Sequence, residues 1–314
     1  MSVLGIDTSN YTTSAAVFDG HQGLNKSIVL PVRPGELGLR QSDALFLHIR
    51  QLPEVFKELQ STNLLQNIEA IGASTRPRAV DGSYMPCFLA GVSQGKVLAN
   101  VLRVPFWGLS HQQGHLAAAA WSANRMDLLD APFLAWHLSG GTTELLLVEP
   151  DGYSVNAVAV GGTSDISAGQ LIDRTGVRLG LHFPAGKALD ELSGQSDDSV
   201  SAYRVKLDGL QFSLSGMENK MNAMVDAGTP PADVAHFVLD TICKIVIRTT
   251  LEAQHRWPGF PVLCSGGVAS NRRLRILMEQ NCSAIFAKPQ YSTDNAMGIA
   301  ILTWRGQHRE EERH

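Results

Sequence analysis

The sequence predicts an α/β protein built from two related halves, and three observations carry that expectation. The stretch "VLGIDTSNYTTSAAVFDG" (3–20) reads as apolar strand, Ser- and Thr-rich turn, apolar strand and Asp-Gly turn. "FLAWHLSGGTTELLLVEPDG" (133–152) repeats that scheme. "PVLCSG" (261–266) then runs into "GVASNRRLRILMEQ", a strand followed by a glycine turn that opens a helix, a geometry in which backbone amides meet an anion. Helical periods follow each hairpin, at 41–60 and 89–103 after the first and at 165–180 and 231–256 after the second. The expected division puts 1–105 with 295–314 in the first half and 106–294, with inserted helices, in the second. A ligand cleft between the halves is the economical arrangement.

Composition narrows the functional classes. With 44% apolar and 18% charged residues in 314, the chain is of ordinary globular type. No apolar run reaches the roughly 18 residues of a membrane span, and no basic segment precedes the first strand. The expectation is a cytoplasmic protein without a membrane partner. A net charge of −4 supplies no general attraction to nucleic acid, so an RNA partner needs a local basic patch. Arg76 with Arg78, and Arg272 with Arg273 and Arg275, are the candidates. The four cysteines form no CxxC and are expected to be buried, reduced thiols. The tail "RGQHREEERH" is expected to be a frayed, solvated end.

Several motifs can be set aside. "GVSQGKVLAN" (91–100) has one residue too few between its glycines for a phosphate-binding P-loop, and Val97 stands where the metal-ligating hydroxyl belongs. It is expected to be a helix beginning near Gly91. No GxGxxG follows a strand, and no GxSxG elbow exists. The pairs Gly140-Gly141, Gly161-Gly162 and Gly266-Gly267 all fall at ends of strands, where glycine lets amides approach phosphate.

"LSHQQGHLAAAAWSA" (109–123) places His111 and His115 one helical turn apart. They are half of a metal site or ordinary cap histidines. A third ligand would come from elsewhere, Asp294 in "YSTDNAMGIA" being the first candidate and Asp7 in "GIDTS" the second. A zinc peptidase is disfavoured on chemistry, because Gln112 occupies the general-base position of HExxH and a neutral amide cannot take the proton.

Taken together, "VLGIDTS", "LSHQQGHLAA", "LSGGTTE", "GGTSDISAGQLIDRTGVRLGL", "FSLSGMENK", "GGVASNRRLR" and "STDNAMGIA" resemble the TsaD family, also called YgjD or Gcp and once labelled O-sialoglycoprotein endopeptidase. The resemblance spans nearly the whole chain. It implies the ASKHA (actin, sugar-kinase and Hsp70-like) fold, two RNase H-like halves around a nucleotide cleft. It also implies transfer of a threonylcarbamoyl group from threonylcarbamoyl-adenylate to N6 of adenosine 37 in tRNA. His111, His115 and Asp294 match the ligands of a divalent metal, iron or zinc, acting as a Lewis acid. Asp7 is a further candidate for the chemistry. His137, Leu138, Ser139, Gly140 and Gly141, with Asp173, Gly186 and Asn271, match positions that hold the adenine nucleotide. The implied partners are a threonylcarbamoyl-adenylate-forming enzyme, TsaB-like and TsaE-like proteins, and tRNA.

The chain also departs from the family pattern. Tyr11 and Thr12 replace an acidic pair, Gln113 the glutamate of HxEGH, and Thr142 the histidine of SGGHT. Gly162, Ile166 and Gln170 occupy acidic positions in a loop that keeps Asp165 and Asp173. "STRPRAVDGS" (74–83) replaces TxGPG, and "PAGK" (184–187) replaces PGGP. These losses leave open an alternative role, a paralogue that binds nucleotide and metal as a non-catalytic assembly or regulatory subunit.

Overall fold

Two antiparallel hairpins seed the architecture, and the computed structural model describes residues 1–9, 11–31, 39–197, 200–292 and 295–311. Strands β1 (Ser2–Thr8) and β2 (Thr12–Phe18) pair with Asp7 opposite Ser14. Both are buried along their whole length, including the polar residues Asp7, Thr8, Thr12, Thr13 and Ser14 at the end of the hairpin where they face the turn. β3 (Gly23–Val29) continues antiparallel to β2. After helix α1 (Gln41–Leu59) comes β4 (Ile68–Arg76), parallel to β1; after α2 (Phe88–Leu102) comes β5 (Phe106–Ser110), parallel to β4. The sheet order is β3-β2-β1-β4-β5, and helix α3 (His111–Ser122) leaves directly from the end of β5.

The second hairpin is β6 (Phe133–Leu138) and β7 (Thr143–Asp151), followed by β8 (Ser154–Thr163) and helices α4 (Ala168–Arg178) and α5 (Gly186–Ser193). Two short strands, β9 (Leu207–Asp208) and β10 (Gln211–Phe212), precede α6 (Ser215–Asp226) and the long α7 (Pro231–Arg256). Then come β11 (Val262–Ser265), α8 (Arg272–Cys282), β12 (Ile285–Phe286) and α9 (Met297–Glu311). β11 runs parallel to β6 and gives the order β12-β11-β6-β7-β8-β10-β9.

The chain divides into two compact units. One comprises Met1–Ala131, Glu149–Ala157 and Gln290–His314, the other Pro132–Val148 and Val158–Pro289. β5 and α3, expected in the second half, thus belong to the first unit, because β5 is hydrogen-bonded to β4 and α3 packs on α9. The first unit's core gathers Ile6, Val17, Leu52, Val55, Leu59 and Ile71. The second is built around Trp136, fully buried, whose indole N–H donates to the Thr250 hydroxyl at 2.8 Å.

The run of alanines in α3 has a packing reason. Ala117 to Ala120 are buried, and a Cβ on Gly298 of α9 would lie 1.7 Å from the Gly114 carbonyl oxygen. Only small residues allow two helix backbones this close. The tail differs from the frayed end expected of it. α9 runs on to Glu311, and Arg305 and Arg309 both reach the Asp130 carboxylate. The charges that suggested solvation are partly engaged in this clamp.

All four cysteines are buried and free. Burial pushes the Cys87 and Cys282 thiols up to about 11 and Cys243 to about 12, which keeps them protonated and unreactive at neutral pH. Among the described residues no helix is long and apolar enough to cross a membrane.

Candidate functional site

In the first unit the site grows from the start of α3. Ser110 caps the helix by accepting the Gln113 amide at 3.2 Å, and the Gln113 side chain accepts the Ser110 N–H at 2.8 Å. Gln113 Nε2 also donates to the Val155 carbonyl at 2.9 Å, so this buried amide uses both its acceptor and its donor. A carboxylate could reproduce the cap but not the donation.

This cap aims the two histidines. His111 Nε2 and His115 Nε2 face each other at 2.8 Å. On its other side, His111 Nδ1 lies 2.5 Å from Asp7 Oδ2. Asp7 is buried at 1% exposure, and its Oδ1 accepts the Ser9 N–H at 2.9 Å and the Ser74 hydroxyl at 3.0 Å. A carboxylate accepting from Nδ1 holds the lone pair of His111 on Nε2, directed at His115, which is how metal-ligating histidines are oriented. The donor chemistry therefore fits a divalent ion that accepts imidazole. Asp7, the second candidate for third ligand, stands behind His111 with both oxygens engaged. Asp294, the first candidate, lies outside the described residues. Among the described residues no three His, Cys, Asp or Glu side chains form a metal-binding group.

The second unit holds a cavity of about 460 Å³. Gly140, Asp173, Gly186 and Asn271, drawn from four separate stretches of the chain, line it together. His137, Leu138, Ser139 and Gly141 are not in that lining. Leu138 is fully buried in the core, and His137 pairs with Glu144 across the β6–β7 ladder. The turn itself is tightly tied: Ser139 N–H donates to the Thr142 carbonyl at 2.8 Å, and the Ser167 hydroxyl donates to the Gly140 carbonyl at 2.6 Å. Open space surrounds Gly140 and Gly141 where a side chain would be, whereas a Cβ on Gly169 would meet Gly140 Cα at 2.4 Å. The first turn of α4 is thereby seated against the glycine turn.

Elsewhere in the wall, Asp173 Oδ1 accepts the Ala185 N–H at 2.9 Å, and Asn271 donates to Asp190 at 2.7 Å while capping α8. Ile172, Leu239 and Val268 add apolar surface. Apolar walls, a fixed carboxylate and an amide-rich turn suit a base, sugar hydroxyls and a phosphate respectively.

A family model described as TsaD, tRNA N6-adenosine threonylcarbamoyltransferase, matches residues 42–301. The chain belongs to the TsaD family. Relatives of that description include one from Syntrophus aciditrophicus, 31% identical over 319 residues that cover 96% of this chain and 91% of the relative. Another, from Thermus thermophilus, is 30% identical over 321 residues, covering 98% and 94%. Among solved structures, component A of (R)-2-hydroxyglutaryl-CoA dehydratase from Acidaminococcus fermentans matches with a TM-score of 0.58 at 13% identity, covering 98% of this chain and 99% of that one. Full-length HypF in its phosphate- and nucleotide-bound form matches with a TM-score of 0.61 at 14% identity, covering 99% and 47%. At such identities the structural matches establish the fold alone, which is the expected ASKHA type.

Within this family frame, the departures acquire positions. Gln113 and Gln170 both stand where the resemblance places acidic residues, and both are the third residue of a capping box, a place that Glu and Gln fill alike. Lys187, from the altered "PAGK" turn, lines the cavity. Of the arginines offered as RNA contacts, Arg273 is bound to Asp240 at 3.0 Å and Arg275 lies over the Phe286 ring, so neither is a freely solvated charge.

Asp165, which keeps the family's acidic residue, ties β8 to the start of α6. It accepts the Ser213 and Ser215 hydroxyls at 2.5 and 2.6 Å and the Leu214 N–H at 2.9 Å. Desolvation alone would raise its pKa, but the Ser213 and Ser215 hydroxyls, the Leu214 amide and the Thr163 hydroxyl outweigh it and hold the carboxyl well below its usual range. A depressed pKa stabilises the fold fully above the unfolded value of about 4 and loses that contribution progressively as pH falls from there through the lower folded value. Asp165→Asn is therefore expected to melt below the wild type at neutral pH, with the gap starting to narrow only as pH falls below about 4. Thermal melts across that range check this, and a gap independent of pH would contradict it.

Sequence reasoning missed Asp190, Leu239 and Gly169 as parts of the cavity. Asp190 and Leu239 sit in ordinary helical pattern, and nothing local marks them. Asp7 had a usable signal: a charge inside a fully buried strand must have buried partners.

Proposed function

We propose that this protein transfers a threonylcarbamoyl group from threonylcarbamoyl-adenylate to the N6 amine of an adenosine in tRNA, with a divalent ion, iron or zinc, held by His111 and His115. The observation that carries the reading is the convergence of Gly140, Asp173, Gly186 and Asn271 on one cavity. In the reaction the N6 lone pair forms the new C–N bond at the carbamoyl carbon, the bond from that carbon to the phosphate oxygen breaks, AMP leaves, and N6 loses a proton. Backbone amides of the turn at Gly140 and Gly141 hold the phosphate and take up charge on the leaving group. Asp173 accepts from the ribose hydroxyls. Asp7 fixes the His111 imidazole, and a bound ion would supply Lewis acidity toward the carbamoyl oxygen. Asp294 completes the ligand set in this reading. The donor must come from an adenylate-forming partner, and TsaB-like and TsaE-like companions are part of the proposal.

A second reading, a non-catalytic nucleotide-binding subunit, is favoured by Tyr11 and Thr12, which leave no carboxylate in the turn after β1. The test mixes the purified protein with threonylcarbamoyl-adenylate and unmodified tRNA, with and without companion proteins, and follows modified adenosine by mass spectrometry. Product is expected. Nucleotide bound without product under any condition would move the conclusion to the second reading. His111→Ala is expected to lose stoichiometric metal by elemental analysis, and full retention would reject the metal site.

A further inference from the structure

We infer that Phe183 is a stacking platform for an unpaired base of the RNA acceptor, placed at the rim of the nucleotide cavity. The inference rests on the proposed reading that the acceptor is RNA. The segment joining α4 to α5 supplies one wall of the cavity, through Pro184, Gly186 and Lys187. Phe183 adjoins Pro184 in the chain, yet it is absent from the lining and is 75% exposed.

At 75% exposure the Phe183 ring keeps most of its surface available to a planar partner, and its neighbour Pro184 fixes it beside the cavity. A base held in the cavity would have Ile172, Leu239 and Val268 of its lining to pack on. The partner for Phe183 therefore lies outside the pocket, on the strand that must deliver the accepting adenosine. Nucleotides beside that adenosine must be unstacked to bring it to a pocket, and unstacked bases are the ones proteins hold on aromatic rings.

The charges around the ring suit a strand. Lys187, with a side chain 91% exposed, is 3.9 Å from Glu191, an exposed pair weak enough to be exchanged for a phosphate. His182 is exposed as well. Arg174 and Arg178 of α4 are paired with Glu218 and Asp226, whereas Lys187 is the cation that also lines the cavity. One aromatic face beside one loosely held cation is the minimal unit of single-strand binding.

The test uses the full chain with an end-labelled stem-loop RNA carrying an unmodified adenosine in its loop, followed by fluorescence anisotropy. AMP affinity is measured in parallel by calorimetry. Phe183→Ala is expected to weaken RNA binding on the order of 5- to 100-fold, the range for loss of one stacked base, and Phe183→Trp to retain it. AMP affinity is expected to stay within about twofold in both, since the ring lies outside the pocket, and an exposed position makes misfolding no explanation. Unchanged RNA binding in Phe183→Ala overturns the inference while leaving the proposed function standing. A parallel fall in AMP affinity also overturns it, by assigning the ring to the pocketed nucleotide. Wild-type protein that binds AMP but no RNA overturns both the inference and the reading beneath it.

Discussion

Asp7→Asn is expected to weaken metal binding by about 10- to 100-fold, the usual consequence of removing the carboxylate behind a ligating histidine. Asp7 receives three donors, from His111, Ser9 and Ser74, in a space that water does not reach. An asparagine of the same shape offers one acceptor oxygen and one NH₂ group. If the oxygen turns to Ser9 and Ser74, the NH₂ faces His111 Nδ1, and the imidazole moves its proton to Nε2, the atom that should bind the ion. If the oxygen turns to His111, two buried donors lose their acceptor, at about 1–3 kcal/mol each. The first outcome lowers metal occupancy through the wrong tautomer; the second keeps the tautomer, weakens the ligand only by removing the carboxylate charge, and lowers the melting temperature. Titration with zinc or iron, alongside thermal melts with and without metal, separates them. Wild-type metal affinity in this variant would show that Asp7 does not orient the histidine.

Gly298→Ala is the second large effect. The added methyl would stand 1.7 Å from the Gly114 oxygen, 2.5 Å from its carbonyl carbon and 2.9 Å from the Ala118 nitrogen. All three are backbone atoms of α3, so no rotamer change relieves the clash. The helices must separate, and the loss is expected to reach or exceed the roughly 1–3 kcal/mol typical of overpacking. His111 and His115 ride on α3, so the same displacement is expected to lower metal affinity. A chemical-denaturation midpoint and a metal titration on one preparation check both. A variant as stable as wild type would mean that α3 and α9 tolerate separation at this contact.

The family's missing acidic residues weigh less after the structure than before it. Gln113 and Gln170 serve as helix caps, and capping is as open to glutamine as to glutamate. At those two places the departure changes charge without emptying a structural role. Tyr11, Thr12, Thr142, Gly162 and Ile166 have no such account and remain the chain's real departures from the family pattern.

Local pattern was enough for the two hairpins, for α1 and α7 and for the four-residue spacing of His111 and His115. Strand alternation, turn residues and helical period are short-range properties, and burial reinforced each of them here. It was also enough for the family, because several motifs recur in one order along the chain. Long-range pairing settled the rest. That Asp7 stands behind His111 follows from β1 lying beside β4 in the sheet while β5 launches α3. The cavity wall at Asp190 and Leu239 exists because α5 and α7 pack on one core. The charged tail is helical because Arg305 and Arg309 find Asp130, and α3 belongs with the first unit because Gly114 meets Gly298. A residue's neighbours in sequence carry its propensity, but its hydrogen-bond partners and the atoms it can approach are set by chain segments hundreds of residues apart.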